Sequence, residues 1–324
     1  MMRAAWIPVL LLGSLLSSPG TADEPEKPPV LNGFVLAPAS VPTSQVLRGG
    51  PARDGIPALV QPKVHPADQA PWHADEIVVG VVQGDRARAY PLAILNWHEL
   101  VNDTLGGRHI LVSYCPLCGT ALVFERKVEG QVRTFGVSGL LYQSDLLLYD
   151  RESESLWSQI AATAVVGPDT GKRLRVLRSA LMPWGDWKAR NPNTDVLSLD
   201  TGHRRPYEQD PYVGYSDSDA LFFPAPLDPR YHPKMPTLGV RLAGGAARAY
   251  PAMEIERAGG EVQERFEGRA LKVSYEPDKQ VFDIDAPLDL EVIEGYWFAW
   301  VAFHPATTVF VANSEPGEEA ASSP

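Results

Sequence analysis

The chain has 324 residues, 44% hydrophobic and 21% charged, with 29 Lys and Arg against 40 Asp and Glu and a formal net charge of −11. That composition excludes disordered and fibrous chains, and the acidic balance sets the surface against phosphate backbones, so no nucleic-acid partner is expected. Two cysteines close together exclude a disulfide-stapled scaffold, while 27 Gly and 30 Pro predict many turns and few long helices.

At the start, Arg3 precedes an apolar run from Ala4 to Leu12, and Ser14 to Ala22 is small and polar. Residues 1–22 are therefore expected to be a secretory signal cleaved near Ala22, with an uncleaved anchor as the alternative. Either places the folded part in the periplasm or outside the cell, and no transmembrane segment is expected in the mature chain. Residues 23–72 are rich in proline and predict an extended arm, lying on the body or free.

The stretch from Gly80 to Tyr90-Pro91 reappears as Gly239 to Tyr250-Pro251, and Gly107 to Tyr114 reappears as Gly268 to Tyr275. Order and spacing agree, which predicts two copies of a β-hairpin, a helix and a further strand, with Pro91 and Pro251 as first helical residues. The first unit is assigned 73–200 and the second, degenerate one 201–312. The helix after Tyr90 is read as continuing through Trp97, His98 and Glu99 towards Asn102 and Asp103, whereas its counterpart has no histidine and ends at Gly259.

Between two strand-like segments lies Cys115-Pro116-Leu117-Cys118-Gly119. A thioredoxin-type motif would open a helix; a Cys-Pro-x-Cys-Gly turn at a hairpin tip instead resembles the metal knuckle of rubredoxins and zinc ribbons. The second unit has Glu276 and Lys279 there, so further ligands must come from elsewhere. His98 is the chosen third ligand, with Glu99 and Asp103 as supporting carboxylates; a cavity-filling histidine is the alternative. Soft thiolates with an imidazole favour copper, with zinc or iron as alternatives, and no organic cofactor is expected.

Downstream, Ser138-Gly139-Leu140 is read as a turn and Leu146 to Tyr149 as a strand. Ser138, Tyr142, Asp145, Asp150, Trp157 and Gln159, with Tyr114, are candidate pocket residues; a hairpin with its caps is the plain alternative. The aromatic stretch Tyr296 to Phe303 is assigned to the core, and the tail 313–324 is expected to be disordered.

Ala89-Tyr90-Pro91-Leu92, Trp97-His98-Glu99-Leu100, Tyr114-Cys115-Pro116-Leu117-Cys118-Gly119-Thr120, Leu156-Trp157-Ser158-Gln159 and Trp297 to Pro305 together resemble the domain of unknown function 3179 family, often exported in prokaryotes, over about residues 50–312. The resemblance implies a family and no activity. The expectation is an exported, β-rich α+β protein of two related units that binds a metal through Cys115, Cys118 and His98. A thiol–disulfide protein and a binding module with a static Cys clasp are the alternatives, and the partner is unknown.

Overall fold

Runs rich in Val, Leu and Phe, bounded by Gly, Asp or Pro, form the strands that their side chains favour. They are short and belong to several sheets in the computed structural model, which describes residues 27–312; the expected signal segment (1–22) and acidic tail lie outside the described residues. The largest sheet runs Thr308–Val309, Ala247–Pro251, Pro236–Arg241, Glu291–Tyr296, Thr120–Glu125, Arg108–Cys115, Leu100–Leu105 and Leu59–Val60, with Arg175–Leu177 also paired to Thr120–Glu125. A five-stranded sheet runs Thr163–Val166, Leu156–Ser158, Asp145–Asp150, Phe135–Tyr142 and Val46–Arg48. Cys115, Cys118, Phe135, Leu146, Trp157 and Trp297 share one buried cluster, so the cysteine hairpin of the first sheet packs directly on the second.

Another five-stranded sheet runs Ala180–Pro183, Ile77–Gln83, Arg86–Pro91, Asp195–Leu197 and Val64–Pro66. Its first four strands have the same order and directions as Glu291–Tyr296, Pro236–Arg241, Ala247–Pro251 and Thr308–Val309. Side chains follow suit. A Cβ on Gly80 would lie 2.2 Å from the Trp187 ring, and one on Gly239 the same distance from Trp300. The two indoles donate to Thr194 and Thr307, at 2.9 and 3.0 Å. Arg88 and Tyr90 bind Asp103, as Arg248 and Tyr250 bind Glu264.

Four short helices occur among the described residues: Leu92–His98, Trp184–Arg190, Ala252–Arg257 and Trp297–Phe303. Pro91 and Pro251 cap the helices they were expected to begin, one residue earlier, because each still pairs as the last residue of a strand. The aromatic stretch becomes a helix with Trp297 to Ala302 buried. None is long and apolar enough to cross a membrane.

Two expectations are corrected, and a third is narrowed to one of its two alternatives. The first helix stops at His98, because Glu99 turns to φ +56°, so Asn102 and Asp103 lie in the strand Leu100–Leu105. Ser138 and Gly139 form a bulge inside Phe135–Tyr142, since Gly139 at φ +70° shifts the register without reversing the chain; the reversal comes at Gln143-Ser144. The proline-rich arm, where described, lies on the body, with Val46–Arg48, Leu59–Val60 and Val64–Pro66 each joined to a sheet.

Candidate metal centre

The strand Arg108–Cys115 ends in a tight turn, with the Cys118 N–H donating to the Cys115 carbonyl at 3.1 Å and Gly119 N–H to Pro116 at 3.4 Å. Gly119 has φ +60°, and a Cβ there would stand 2.9 Å from the Tyr296 ring, so only glycine fits. The corresponding turn, Glu276 to Val281, makes the same two bonds at 3.2 Å each without sulfur, and Glu276 and Lys279 form an ion pair at 3.0 Å. This backbone does not need the thiols. Cys115 and Cys118 are both free and buried.

Facing them is the hairpin Phe135–Tyr142/Asp145–Asp150, whose two-residue turn places Gln143 at φ +52° and Ser144 at φ +65°. Such turns usually take Asn and Gly; without glycine the chain stores strain here, a pattern that gathers at functional sites. The turn sets the Ser144 carbonyl 3.4 Å and Asp145 Oδ1 3.9 Å from Cys118 Sγ. Asp145 Oδ2 accepts from Ser158 Oγ at 3.0 Å and from Ile160 N–H at 3.1 Å, which fixes the carboxyl. One donor atom from each of Cys115, Cys118 and Asp145 lies within 4.8 Å of the others, so the three could hold a metal ion.

Burial pushes the Asp145 carboxyl up to about 7, against the opposing pull of its hydrogen bonds. Burial, then the neighbouring Cys115, pushes the Cys118 thiol well up. A cation would replace those protons, since thiolates and carboxylates are the ligating forms. Nearby, Ser144 Oγ, Gln159 Oε1 and Tyr215 Oη are buried with no partner among the described residues. Buried polar atoms are usually satisfied, so these mark the ground around the sulfurs as unfinished by protein alone.

His98 stands outside this group, which corrects the expected ligand set. Its Nδ1 lies 2.7 Å from the Pro57 carbonyl, which can only accept, so Nδ1 carries the proton and Nε2 accepts from the Tyr207 hydroxyl at 2.7 Å. Burial, with His203 and Arg205 adding to it, lowers its pKa to about 4, and both nitrogens are taken by structure. Asp103 is likewise bound to Arg88 at 2.7 Å and Tyr90 at 2.8 Å.

The remaining candidates divide by role. Ser138 bonds the Leu147 carbonyl and braces the bulge, and Asp150 accepts from Trp157 Nε1 at 2.9 Å and Ser153 Oγ at 2.6 Å. Tyr142 packs edge-on against Phe303. Gln159 Nε2 ties the Ser113 hydroxyl to the Thr120 carbonyl, at 2.9 and 3.1 Å. Tyr114 lines a cleft of about 370 Å³ beside Pro116, together with Tyr207, Tyr212, Tyr215 and Tyr296. Asp75, Glu76, Glu208 and Asp210 also line this cleft and give it an acidic rim. Sequence reasoning missed those four tyrosines; three sit in the irregular run between Leu197 and Pro236, where no periodicity marks an inward residue.

The family model for proteins of unknown function designated DUF3179 matches residues 53–288. The chain belongs to that family. The matched region of this DUF3179 protein contains Cys115, Cys118, Asp145 and most of the cleft. No curated protein and no solved structure matches it.

Proposed function

We propose that this DUF3179 protein is an exported metal-binding protein in which Cys115, Cys118 and Asp145 hold one ion, zinc in preference to copper. The observation that carries this is the convergence of two thiols and a carboxyl, from two different sheets, within 4.8 Å inside the core. Ligand atoms roughly 2.0–2.3 Å from one zinc ion span about 3.3–3.8 Å, so the 3.9 Å between Cys118 Sγ and Asp145 Oδ1 needs to close only slightly on an ion. The third donor decides the metal: a carboxylate oxygen suits borderline zinc, or iron, whereas copper(I) favours sulfur and imidazole, and His98 is committed elsewhere. Three protein donors leave a position for solvent or substrate, the pattern of sites that do chemistry.

The thiol–disulfide reading is weaker. Exchange needs an accessible thiolate, and Cys118 is fully buried with its proton held tightly. A static clasp is weaker too, because the Glu276 to Val281 turn closes without sulfur. We read the two hairpin–helix–hairpin stretches as two copies of one unit, of which one carries the site. Export rests on the apolar run Ala4 to Leu12.

The test is elemental analysis of protein purified from its exported compartment, with zinc affinity measured against a chromogenic chelator. About one zinc per chain, released together with both thiols, supports the assignment. Protein that neither retains nor takes up zinc, or that carries Cys115 and Cys118 as a disulfide, overturns it.

A further inference from the structure

Glu99 closes the helix Leu92–His98 with φ +56° and ψ −36°, a conformation non-glycine residues rarely adopt. Its carbonyl accepts from Tyr114 N–H at 2.8 Å; at the corresponding corner the Gly260 carbonyl accepts from Tyr275 N–H at 3.1 Å, with Gly260 at φ +89°. The same corner is thus turned once by glycine and once by a strained glutamate. Glu99 as a residue is 8% exposed, and no hydrogen bond or ion pair to its carboxyl is found among the described residues. It lines a cavity of about 130 Å³ whose other walls include Leu117, Val137, Leu141, Leu146 and Phe223. An apolar cavity of about 150 Å³ accepts benzene, so this one, with Glu99 as the only carboxyl among its described lining residues and the exposed Phe222 at its mouth, is of ring size.

Tyr212 lines this cavity and also the acidic cleft outside it, so one side chain stands between the two. We propose that the Glu99 cavity is a binding site for a small apolar amine, which reaches it from the acidic cleft past Tyr212 and pairs its nitrogen with the Glu99 carboxyl. The carboxylates of the cleft attract cations, the cavity walls take an apolar body of five or six carbons, and among the described residues no cationic side chain lines the cavity to compete for Glu99. Burial raises this carboxyl to about 8, so at neutral pH the incoming ammonium displaces the Glu99 proton to solvent and its binding should strengthen as pH rises towards 8. The site is independent of the proposed metal.

Cyclopentylamine, cyclopentanol and cyclopentanecarboxylate share one apolar body and differ in charge. Titrated into the full mature chain at neutral pH and followed by NMR, the amine should bind at least tenfold more tightly than the alcohol, and the carboxylate should not bind. In Glu99→Gln, and in Glu99→Gly, which the Gly260 corner shows the backbone accepts, the amine should fall to the level of the alcohol. Leu146→Phe, filling the cavity, should abolish both. Equal affinity of amine and alcohol in the wild-type chain, amine binding that survives Glu99→Gly, or no binding of any probe would overturn the proposal.

Discussion

Cys118 and Asp145 lie on different sheets, yet Sγ and Oδ1 are 3.9 Å apart and both residues are fully buried. Two acidic groups brought together in the core, with no cationic side chain bonded to either among the described residues, are costly unless something neutralises them. The sulfurs sit on a turn whose backbone bonds the sulfur-free segment Glu276 to Val281 also makes, and the carboxyl sits on a turn strained at two positions.

The first expectation concerns that strain. Ser144 holds φ +65° with its hydroxyl unpartnered, so Ser144→Gly relieves the backbone and removes nothing bonded among the described residues. Stability should rise by about 1 kcal/mol, read as a higher melting temperature of the metal-free protein. A fall would show that the hydroxyl stabilises the turn.

His98 provides the second. Replacing it by Ala leaves the Pro57 carbonyl and Tyr207 hydroxyl without their partner, at about 2–3 kcal/mol. Zinc content should stay that of the wild type while urea unfolding shifts to lower concentration. Loss of zinc without loss of stability would return His98 to the ligand set.

What sequence alone made legible, and what it did not, shows in these residues. Strand positions, the two Tyr-Pro helices and the sulfur pair were readable because hydrophobic patterning and short spacing are local. Asp145 was legible as a pocket residue, but its place beside the two sulfurs was not. His98 is near the cysteines in the chain and chemically apt, whereas Asp145 reaches them only through the packing of two sheets. The helix overrun past His98 has a similar cause, since Glu99 occupies a conformation that no propensity assigns to glutamate.

A third expectation follows from burial of acids. Glu99 and Glu294 are each raised to about 8 by burial, from an unfolded value near 4.5, so between those limits the folded chain holds protons that the unfolded chain has released. Stability contributed by these groups is complete below about pH 4.5 and is lost as pH rises towards 8. Glu99→Gln should remove one such slope, up to about 1.4 kcal/mol per pH unit, and so gain most on the wild type at pH 8 in urea titrations from pH 5 to 8. A difference that does not change with pH would contradict the burial account.

Gly80 and Gly239 give the fourth. Each lies beneath an indole whose atoms stand 2.2 Å from where a Cβ would be, so Gly80→Ala and Gly239→Ala should each destabilise by about 1–3 kcal/mol. Thermal melts would show it. Unchanged melting of either variant would mean that the tryptophan moves freely aside.

The most direct measurement is cobalt(II) titration of the metal-free protein, read by the thiolate-to-cobalt charge-transfer absorption in the near ultraviolet. The wild type should saturate at about one equivalent. Cys115→Ser and Cys118→Ser should each lose much of the band, Asp145→Asn should bind at least tenfold more weakly with altered visible bands, and His98→Ala should match the wild type. No charge-transfer band in the wild type, or an unchanged titration in Asp145→Asn and Cys118→Ser, would contradict a centre built on these three residues.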